Sequence, residues 1–132
     1  MGGASDTFGS VFQQGTATLM ARLVGADAAA IVQADIASIE YSVFLLDDSV
    51  PSSRTVVTGH DGESLAVADV IYDALQTDAR WTVDSTGYNF RHTIDVSSNE
   101  AFETAGRRCL VEYRLTPTSG QVIVVRFKLQ VE

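Results

Sequence analysis

A chain of 132 residues, 45% hydrophobic and 20% charged, has the length and composition of a single globular domain that buries a substantial core. Its formal net charge of −8 argues against a nucleic-acid partner, because binding phosphates requires a cationic surface. No apolar run approaches the roughly 18 residues that a membrane-spanning helix needs. Residues 1–6 lack the basic and apolar regions of a secretory signal, so we expect no membrane partner and no export.

Residues 1–15 are rich in Gly, Ser and Gln, and Phe8, Val11 and Phe12 stand among them as isolated apolar residues. We interpret this segment as a flexible N-terminal arm that precedes a single domain over residues 16–132. Two interpretations of the arm remain open. It is either a frayed terminus or a segment that orders when Phe8 and Phe12 dock onto a neighbouring subunit, since each aromatic ring buries much area for few rotatable bonds.

Alternation of apolar and polar residues with a period of two predicts strands over most of residues 16–132, because successive side chains of a strand point to opposite faces. The predicted strands cover residues 16–24, 38–46, 55–58, 81–83, 88–96, 107–115 and 121–131. The last two flank a turn that contains Pro117 and Gly120, which predicts a β-hairpin. The inward positions predict a core of Leu19, Leu23, Ile39, Tyr41, Val43, Phe90, Ile94, Val111, Tyr113, Val125, Phe127 and Leu129.

One segment departs from the period of two. Apolar residues fall at i, i+3, i+4, i+7 and i+8, which places them on one face of a helix, and Asp69 suits the first turn of that helix. These apolar residues are Val67, Val70, Ile71, Ala74 and Leu75. The spacing predicts one short helix over about 67–76.

Short strands at turn spacings of about 8–12 residues, a terminal hairpin and one helix predict a mainly β protein. The favoured architecture is a two-sheet antiparallel β-sandwich, and a small barrel is the alternative that the same pattern allows.

The residues that carry chemistry do not form a known catalytic or metal motif. His60-Asp61-Gly62-Glu63 is the one cluster of an imidazole with carboxylates, but its spacing matches no zinc or calcium motif, so an exposed turn is favoured. His92 lies on an apolar strand face, where a buried, hydrogen-bonded role is favoured over catalysis. Cys109 is the only cysteine, which excludes an intrachain disulfide, and its mid-strand position predicts an inert thiol.

The acidic residues are scattered over different predicted elements, and nothing in their spacing selects a pair for glycosidase chemistry. We therefore predict no catalytic residues, no metal, no cofactor and a protein that is not an enzyme.

Residues 15–43 carry a pattern of a first strand, an acidic corner of small residues, and a second strand of the form apolar-x-Tyr/Phe-x-Val, which is defined by residues 15–23 and 34–43; residues 106–120 supply the matching ending. This pattern resembles small proteins that are encoded among phage and prophage structural genes. Within that group it is similar to the immunoglobulin-like N-terminal domain of phage baseplate upper proteins. The resemblance implies an immunoglobulin-like sandwich and a virion component made in the host cytoplasm, such as a head decoration, neck or tail and baseplate accessory subunit. It transfers no functional residues, because such proteins work through surfaces.

The chain also departs from that family. The predicted helix and the segment that contains Trp81 lie outside the pattern. The chain ends at Glu132 with no coiled coil or receptor-binding region, so we do not expect a whole receptor-binding baseplate protein.

The outward strand positions carry more apolar bulk than a solitary monomer needs, and a contiguous apolar patch marks an interface. Together with the aromatic residues of the arm, the candidate interface residues are Phe8, Phe12, Met20, Phe44, Leu46, Leu110, Val122 and Val124. We expect them to bind other capsid, neck or tail subunits, with homo-oligomers in the particle. The alternative is that the predicted helix covers this face.

A second function, from a different class, is a module that recognises a glycan or a cell-surface partner. Sugar binding requires exposed aromatic rings on one face or loop, and Tyr72, Trp81 and Tyr88 are the residues that suit it.

Overall fold

The structure is a computed structural model that describes residues 4–11, 17–25, 29–46, 54–78, 81, 85–94, 96, 101–102 and 105–132, the first of these segments as backbone. Its strands are β1 (Ala4–Val11), β2 (Thr18–Ala21), β3 (Ile36–Leu46), β4 (Arg54–Val56), β5 (Glu63–Leu65), β6 (Ile71–Gln76), β7 (Tyr88–Thr93), β8 (Arg108–Pro117) and β9 (Ile123–Val131). One helix, α1 (Val67–Val70), and a 3-10 turn (Gln33–Asp35) complete the described elements.

The larger sheet has six strands in the order β1-β9-β8-β3-β4, and β5 also pairs with β3. Strands β8 and β9 form the hairpin that the sequence predicts. All pairs in this sheet are antiparallel except β1 and β9, which run parallel.

The smaller sheet has three strands in the order β2-β7-β6, and both of its pairs are antiparallel. Aromatic side chains join the two sheets: the Phe90 ring on β7 packs edge-on against Tyr113 of β8, with centroids 4.8 Å apart, and lies 6.3 Å from the Phe127 ring of β9. The prediction of a mainly β protein with two sheets is confirmed.

The core lies between the sheets, and all twelve predicted core residues are buried. Buried and more accessible residues alternate along β9 and along residues 39–44 of β3, as in half-buried strands, whereas residues 109–113 of β8 are all buried, including the outward Leu110 and Glu112. Four of the large buried side chains are outside the predicted core set: Ile71, Tyr88, Phe102 and Leu115.

The helix is much shorter than predicted. It ends at Val70, and residues 71–76 form strand β6, so the predicted helix is wrong beyond its first turn. Ile71 is instead the first residue of β6, where it is fully buried as the cross-strand partner of Phe90. Ile71 and Tyr72 are types that favour strands, and pairing with β7 satisfies the backbone there.

The structure also differs from the prediction of a flexible arm over residues 1–15. Ala4–Val11 form β1, an edge strand that pairs with β9 over eight consecutive residues. Backbone hydrogen bonds between strands do not depend on side-chain type, so a segment rich in Gly and Ser can join an open edge. Phe12 lies outside the described residues, and the boundary between arm and domain stays a prediction.

A buried asparagine on β7 forms hydrogen bonds with the segment that connects β2 to β3. Asn89 is 1% exposed; its Oδ1 accepts from the Leu23 N–H at 2.7 Å, and its Nδ2 donates to the carbonyls of Leu23 and Ile31, each at 2.9 Å. These bonds satisfy backbone groups in a segment that has little regular structure of its own.

Candidate functional site

The outer face of the six-stranded sheet, turned away from the smaller sheet, holds most of the candidate interface residues. Its register aligns Phe8, Lys128, Leu110, Phe44 and Val56 in one row across five strands. Leu46 lies two residues beyond Phe44 on β3, on the same face. The fold therefore brings together four of the eight predicted residues: Phe8, by its register position, with Phe44, Leu46 and Leu110.

We call Phe44, Leu46, Val56 and Leu110 the Phe44 patch. Val56 is 38% exposed, and Phe44 and Leu46 are half-buried. Leu110 is only 5% exposed, so its prediction as a solvent-side contact is corrected: its cross-strand neighbours, Phe44 and Lys128, both carry long side chains that flank it. The accessible part of the patch lies toward β4, at the edge of the sheet.

An arginine covers one side of the patch. The Arg54 guanidinium lies over the Phe44 ring, 4.1 Å from its centroid, a cation–π contact. Arg54 is also 3.8 Å from the Glu112 carboxylate, which accepts a hydrogen bond of 3.0 Å from Arg126 Nε. Glu112 is 7% exposed, so two guanidinium groups compensate a nearly buried carboxylate.

The remaining candidate residues lie apart from the Phe44 patch. Val124 is on the same face but four residues from Lys128 along β9, about 13 Å, and the row of Glu112 and Arg126 lies between them. Val122, 38% exposed, precedes β9 beyond Val124. Met20 is on the smaller sheet, as the cross-strand partner of Arg91. The single predicted interface is thus divided among three places.

The helix does not cover the outer face. Val70 belongs to the buried core, Val67 packs against that core, and α1 contacts β6 and β7 of the smaller sheet as well as β3. The helix therefore lies on the inner side of the six-stranded sheet, and the alternative in which it covers the apolar residues of the outer face is wrong.

The two histidines of the chain converge inside the sandwich, which was not predicted from the sequence. Tyr41 and Tyr113 are cross-strand partners with rings 6.0 Å apart. The Tyr41 hydroxyl shares a hydrogen bond of 2.7 Å with His60 Nδ1, and the Tyr113 hydroxyl shares one of the same length with His92 Nδ1. We call these four residues the Tyr–His cluster.

Burial keeps His92 and Tyr113, the pair that joins the two sheets, uncharged near neutral pH. Desolvation, with a smaller contribution from His60, lowers the pKa of His92 to about 4. Desolvation, followed by the proximity of Tyr41, raises the pKa of Tyr113 well above its ordinary value. A neutral imidazole beside a protonated phenol makes a strong hydrogen bond between the sheets but supplies no phenolate nucleophile at neutral pH. A cleft of about 320 Å³, lined in part by Asp69 and Arg91, opens beside His92.

His60 is 1% exposed, so the prediction that 60–63 is an exposed turn is wrong for its first residue. Asp61, Gly62 and Glu63 are exposed, as predicted. No group of three His, Cys, Asp or Glu residues within the described segments is placed to hold a metal ion.

Cys109 is buried, and burial raises the pKa of its thiol to about 11. The thiolate is the reactive form of cysteine, so this thiol is unreactive at neutral pH, which agrees with the predicted inert role.

The three aromatic residues considered for sugar binding do meet. The Trp81 and Tyr72 rings lie 5.6 and 5.8 Å from the Tyr88 ring, and the Tyr88 hydroxyl donates to the Asp78 carboxylate at 2.6 Å. Tyr88 is 1% exposed, whereas Trp81 and Tyr72 are half-buried. Trp81 lies in a loop rather than in the predicted strand 81–83, whose other two residues are outside the described segments.

Comparison of the chain with protein-family models, with curated proteins and with solved structures gave no match. Over the part of the chain that the structure describes, no helix is long and apolar enough to cross a membrane.

The charged groups beside the Phe44 patch were not predicted from the sequence. Glu112 and Arg126 both fall at outward positions of the predicted hairpin, but counting outward from the turn at residues 116–120 pairs Glu112 with Val124, whereas the structure pairs it with Arg126. Nothing in the sequence places Arg54 beside them, because β4 is joined to β3 through residues 47–53, which lie outside the described segments.

Proposed function

We propose that this protein is a non-enzymatic structural subunit of a phage particle, present in many copies and attached to other virion subunits through the Phe44 patch. The observation that carries the proposal is the gathering of exposed and half-buried apolar side chains at one end of an outer sheet face that α1 leaves uncovered. Partners that fit it are other capsid, neck or tail subunits and further copies of this chain.

The chemistry of the patch indicates the kind of contact. An apolar centre of Phe44, Leu46 and Val56 is bordered by Arg54, whose side chain is 43% exposed. Interfaces commonly have an apolar centre and a polar rim in which arginine is enriched. We infer a partner surface that presents apolar side chains with a carboxylate at their margin.

The proposal includes an immunoglobulin-like sandwich, and the strand order supports it. In immunoglobulin domains of the variable type one sheet contains the order G-F-C-C′ and the other the order B-E-D. Here β9-β8-β3-β4 and β2-β7-β6 follow those orders when strands are numbered along the chain. The inter-sheet disulfide of antibody domains is impossible with one cysteine; the Tyr–His cluster is a hydrogen-bonded connection between the sheets.

The experiment that tests the function is to identify the genes that flank this one, induce or infect the host, and purify the particles. Mass spectrometry of washed particles should detect the chain at a fixed ratio to the major capsid protein. Absence of the chain from the particles, while it remains in the lysate, would refute the proposal.

A second candidate function is glycan recognition at the cluster of Tyr72, Trp81 and Tyr88. The convergence of these rings beside Asp78 and Arg91 favours glycan recognition. Sugars stack on aromatic faces, and their hydroxyl groups form hydrogen bonds with charged side chains at the margin of such a site. Trp81 is the only tryptophan, so tryptophan fluorescence, excited selectively over that of the tyrosines, reports on this site alone. Saturable change of that fluorescence with a defined oligosaccharide, lost in Tyr72→Ala, would favour recognition over assembly.

A further inference from the structure

We propose that β1 is exchanged between copies of this chain, so that Ala4–Val11 of one copy complete the β9 edge of another. The proposal deepens the assembly role proposed above by naming a contact and its partner, a second copy of the same chain. It rests on the position of β1 in the sheet, on the independence of β9 from β1, and on the residue types of β1.

The position of β1 makes it separable. It is the outermost strand of the six-stranded sheet, and its only strand partner is β9 among the residues described. The pairing runs without interruption from Ala4 opposite Val124 to Val11 opposite Val131. Departure of β1 therefore breaks one ladder and leaves every other described pairing in place.

The β9 edge is held in place without β1. On its other side β9 pairs with β8 over eight positions, and its inward residues Val125, Phe127 and Leu129 are buried in the core. Beyond the ladder, the Val131 N–H donates to the Arg107 carbonyl at 2.9 Å, and the Gly106 N–H donates to the Val131 carbonyl at 2.8 Å. A β9 edge without β1 keeps its shape and exposes a row of unpaired backbone groups that any matching strand can satisfy.

The residue types of β1 favour reversible attachment. Five of its eight residues, Ala4, Ser5, Asp6, Gly9 and Ser10, are types with little intrinsic preference for strands. Parallel pairing is also slightly less stable per residue than antiparallel pairing. Attachment depends mainly on backbone hydrogen bonds, and the β1 of a second copy offers the same bonds in the same register.

A second copy is thus the occupant that fits the edge best, since its strand has the same sequence and the same register as the strand it replaces. Exchange of an identical element is a low-cost route to oligomers, because the strand makes the same hydrogen bonds on either copy. A particle that holds many copies side by side raises the local concentration of neighbouring β1 strands and favours exchange.

The test uses single cysteines at paired positions in the full-length chain. Ser10 and Gln130 are cross-strand partners, so Ser10→Cys in one batch and Gln130→Cys in another place one thiol on each side of the ladder. The native Cys109 is buried and unreactive, which keeps the background low. The batches are mixed, incubated and oxidised gently, and covalent dimers are counted on non-reducing gels and confirmed by mass spectrometry.

The matched control is a mixture of Ser10→Cys with Glu63→Cys, an exposed position on β5. Exchange predicts at least about tenfold more heterodimer from the S10C and Q130C mixture than from the control, because only a shared ladder holds the two thiols at disulfide distance. The double variant S10C/Q130C should cross-link within a chain wherever β1 is not exchanged.

Heterodimer at the control level would overturn the proposal, whether the double variant cross-links internally or fails to cross-link. The first result would show a β1 that stays on its own chain, and the second a β1 that does not pair as the structure has it. The outcome is independent of the particle experiment, since purified protein can exchange strands even if the chain were absent from virions.

Discussion

Phe127 is one of the buried aromatic residues that pack between the sheets. Its ring is 3% exposed and lies 5.9 Å from Tyr113 and 6.3 Å from Phe90. We predict that Phe127→Ala lowers the free energy of unfolding by roughly 3–5 kcal/mol, through lost burial and the cavity that remains. Urea denaturation followed by circular dichroism measures this loss.

The control for Phe127→Ala is Val122→Ala, at an exposed position just before the same strand. That variant should change the unfolding free energy by less than about 0.5 kcal/mol. Equal losses in the two variants would mean that Phe127 does not hold the sheets together.

His92 gives the protein a predicted sensitivity to acid. Its pKa is about 4 in the folded chain against 6.5 for an ordinary histidine, so between these pH values the unfolded chain binds more protons than the folded one. Stability is therefore full above pH 6.5 and is lost as the pH falls toward 4, by about 2 kcal/mol once solvent screening of the half-buried ring is allowed for.

The measurement is the unfolding free energy of the native chain and of His92→Gln at several pH values between 7 and 4. The glutamine variant should lose less stability across this range, because it keeps a hydrogen-bonding group for Tyr113 but takes up no proton. Parallel curves for the two proteins would show that His92 is not the source of the acid sensitivity.

At the scale of residues, alternation alone identifies the core members, because inward positions of half-buried strands follow from a period of two. The Tyr–His cluster could not be predicted in this way. It depends on the register that sets Tyr41 opposite Tyr113 and on a turn that returns His60 to β3, and neither is encoded in local periodicity.

Gly87, the residue just before strand β7, is a glycine that no other residue can replace without strain. Gly87 has a φ of +105°, and a Cβ built there would lie 2.4 Å from the Gln76 carbonyl oxygen of β6. We predict that Gly87→Ala lowers the unfolding free energy by more than about 3 kcal/mol, since the clash with backbone adds to the cost of a left-handed conformation.

Gly120 is the control that separates the cost of the steric clash from the cost of the left-handed conformation. Its φ is +96°, but a Cβ at this position meets nothing within 4 Å. Gly120→Ala should therefore lose only the conformational term of about 1–2 kcal/mol. Thermal unfolding of both variants tests the comparison, and a Gly120→Ala loss as large as that of Gly87→Ala would contradict the close approach of β6 to β7.

At the scale of elements, the terminal hairpin is predictable because alternation and turn chemistry agree over residues 107–131. The helix over 67–76 is not, because five apolar residues in nine positions fit a helix face and also fit one helical turn followed by a strand. The strand forms because β7 offers a free edge to pair with, on which Phe90 is the cross-strand partner of Ile71. Such a tertiary contact overrides local propensity.

At the scale of the whole molecule, the outward-facing apolar residues of the described strands lie in separate places rather than in one continuous surface. Sequence alternation assigns Phe44, Leu46, Val122 and Val124 to outward positions but does not say that Glu112 and Arg126 lie between the two pairs. Only the order β9-β8-β3 fixes that separation. We therefore expect attachment at the Phe44 patch, with Val122 outside it.

Val56 and Val122 allow a matched test of this placement, because each is a valine that is 38% exposed and only Val56 belongs to the patch. The measurement is competitive incorporation: host cells supply native and variant chains in equal amounts, and mass spectrometry gives their ratio in purified particles. We predict that Val56→Ser is depleted about fivefold or more, equivalent to about 1 kcal/mol of lost contact, while Val122→Ser is incorporated like the native chain. Equal incorporation of both variants, or depletion of Val122→Ser alone, would contradict attachment through the Phe44 patch.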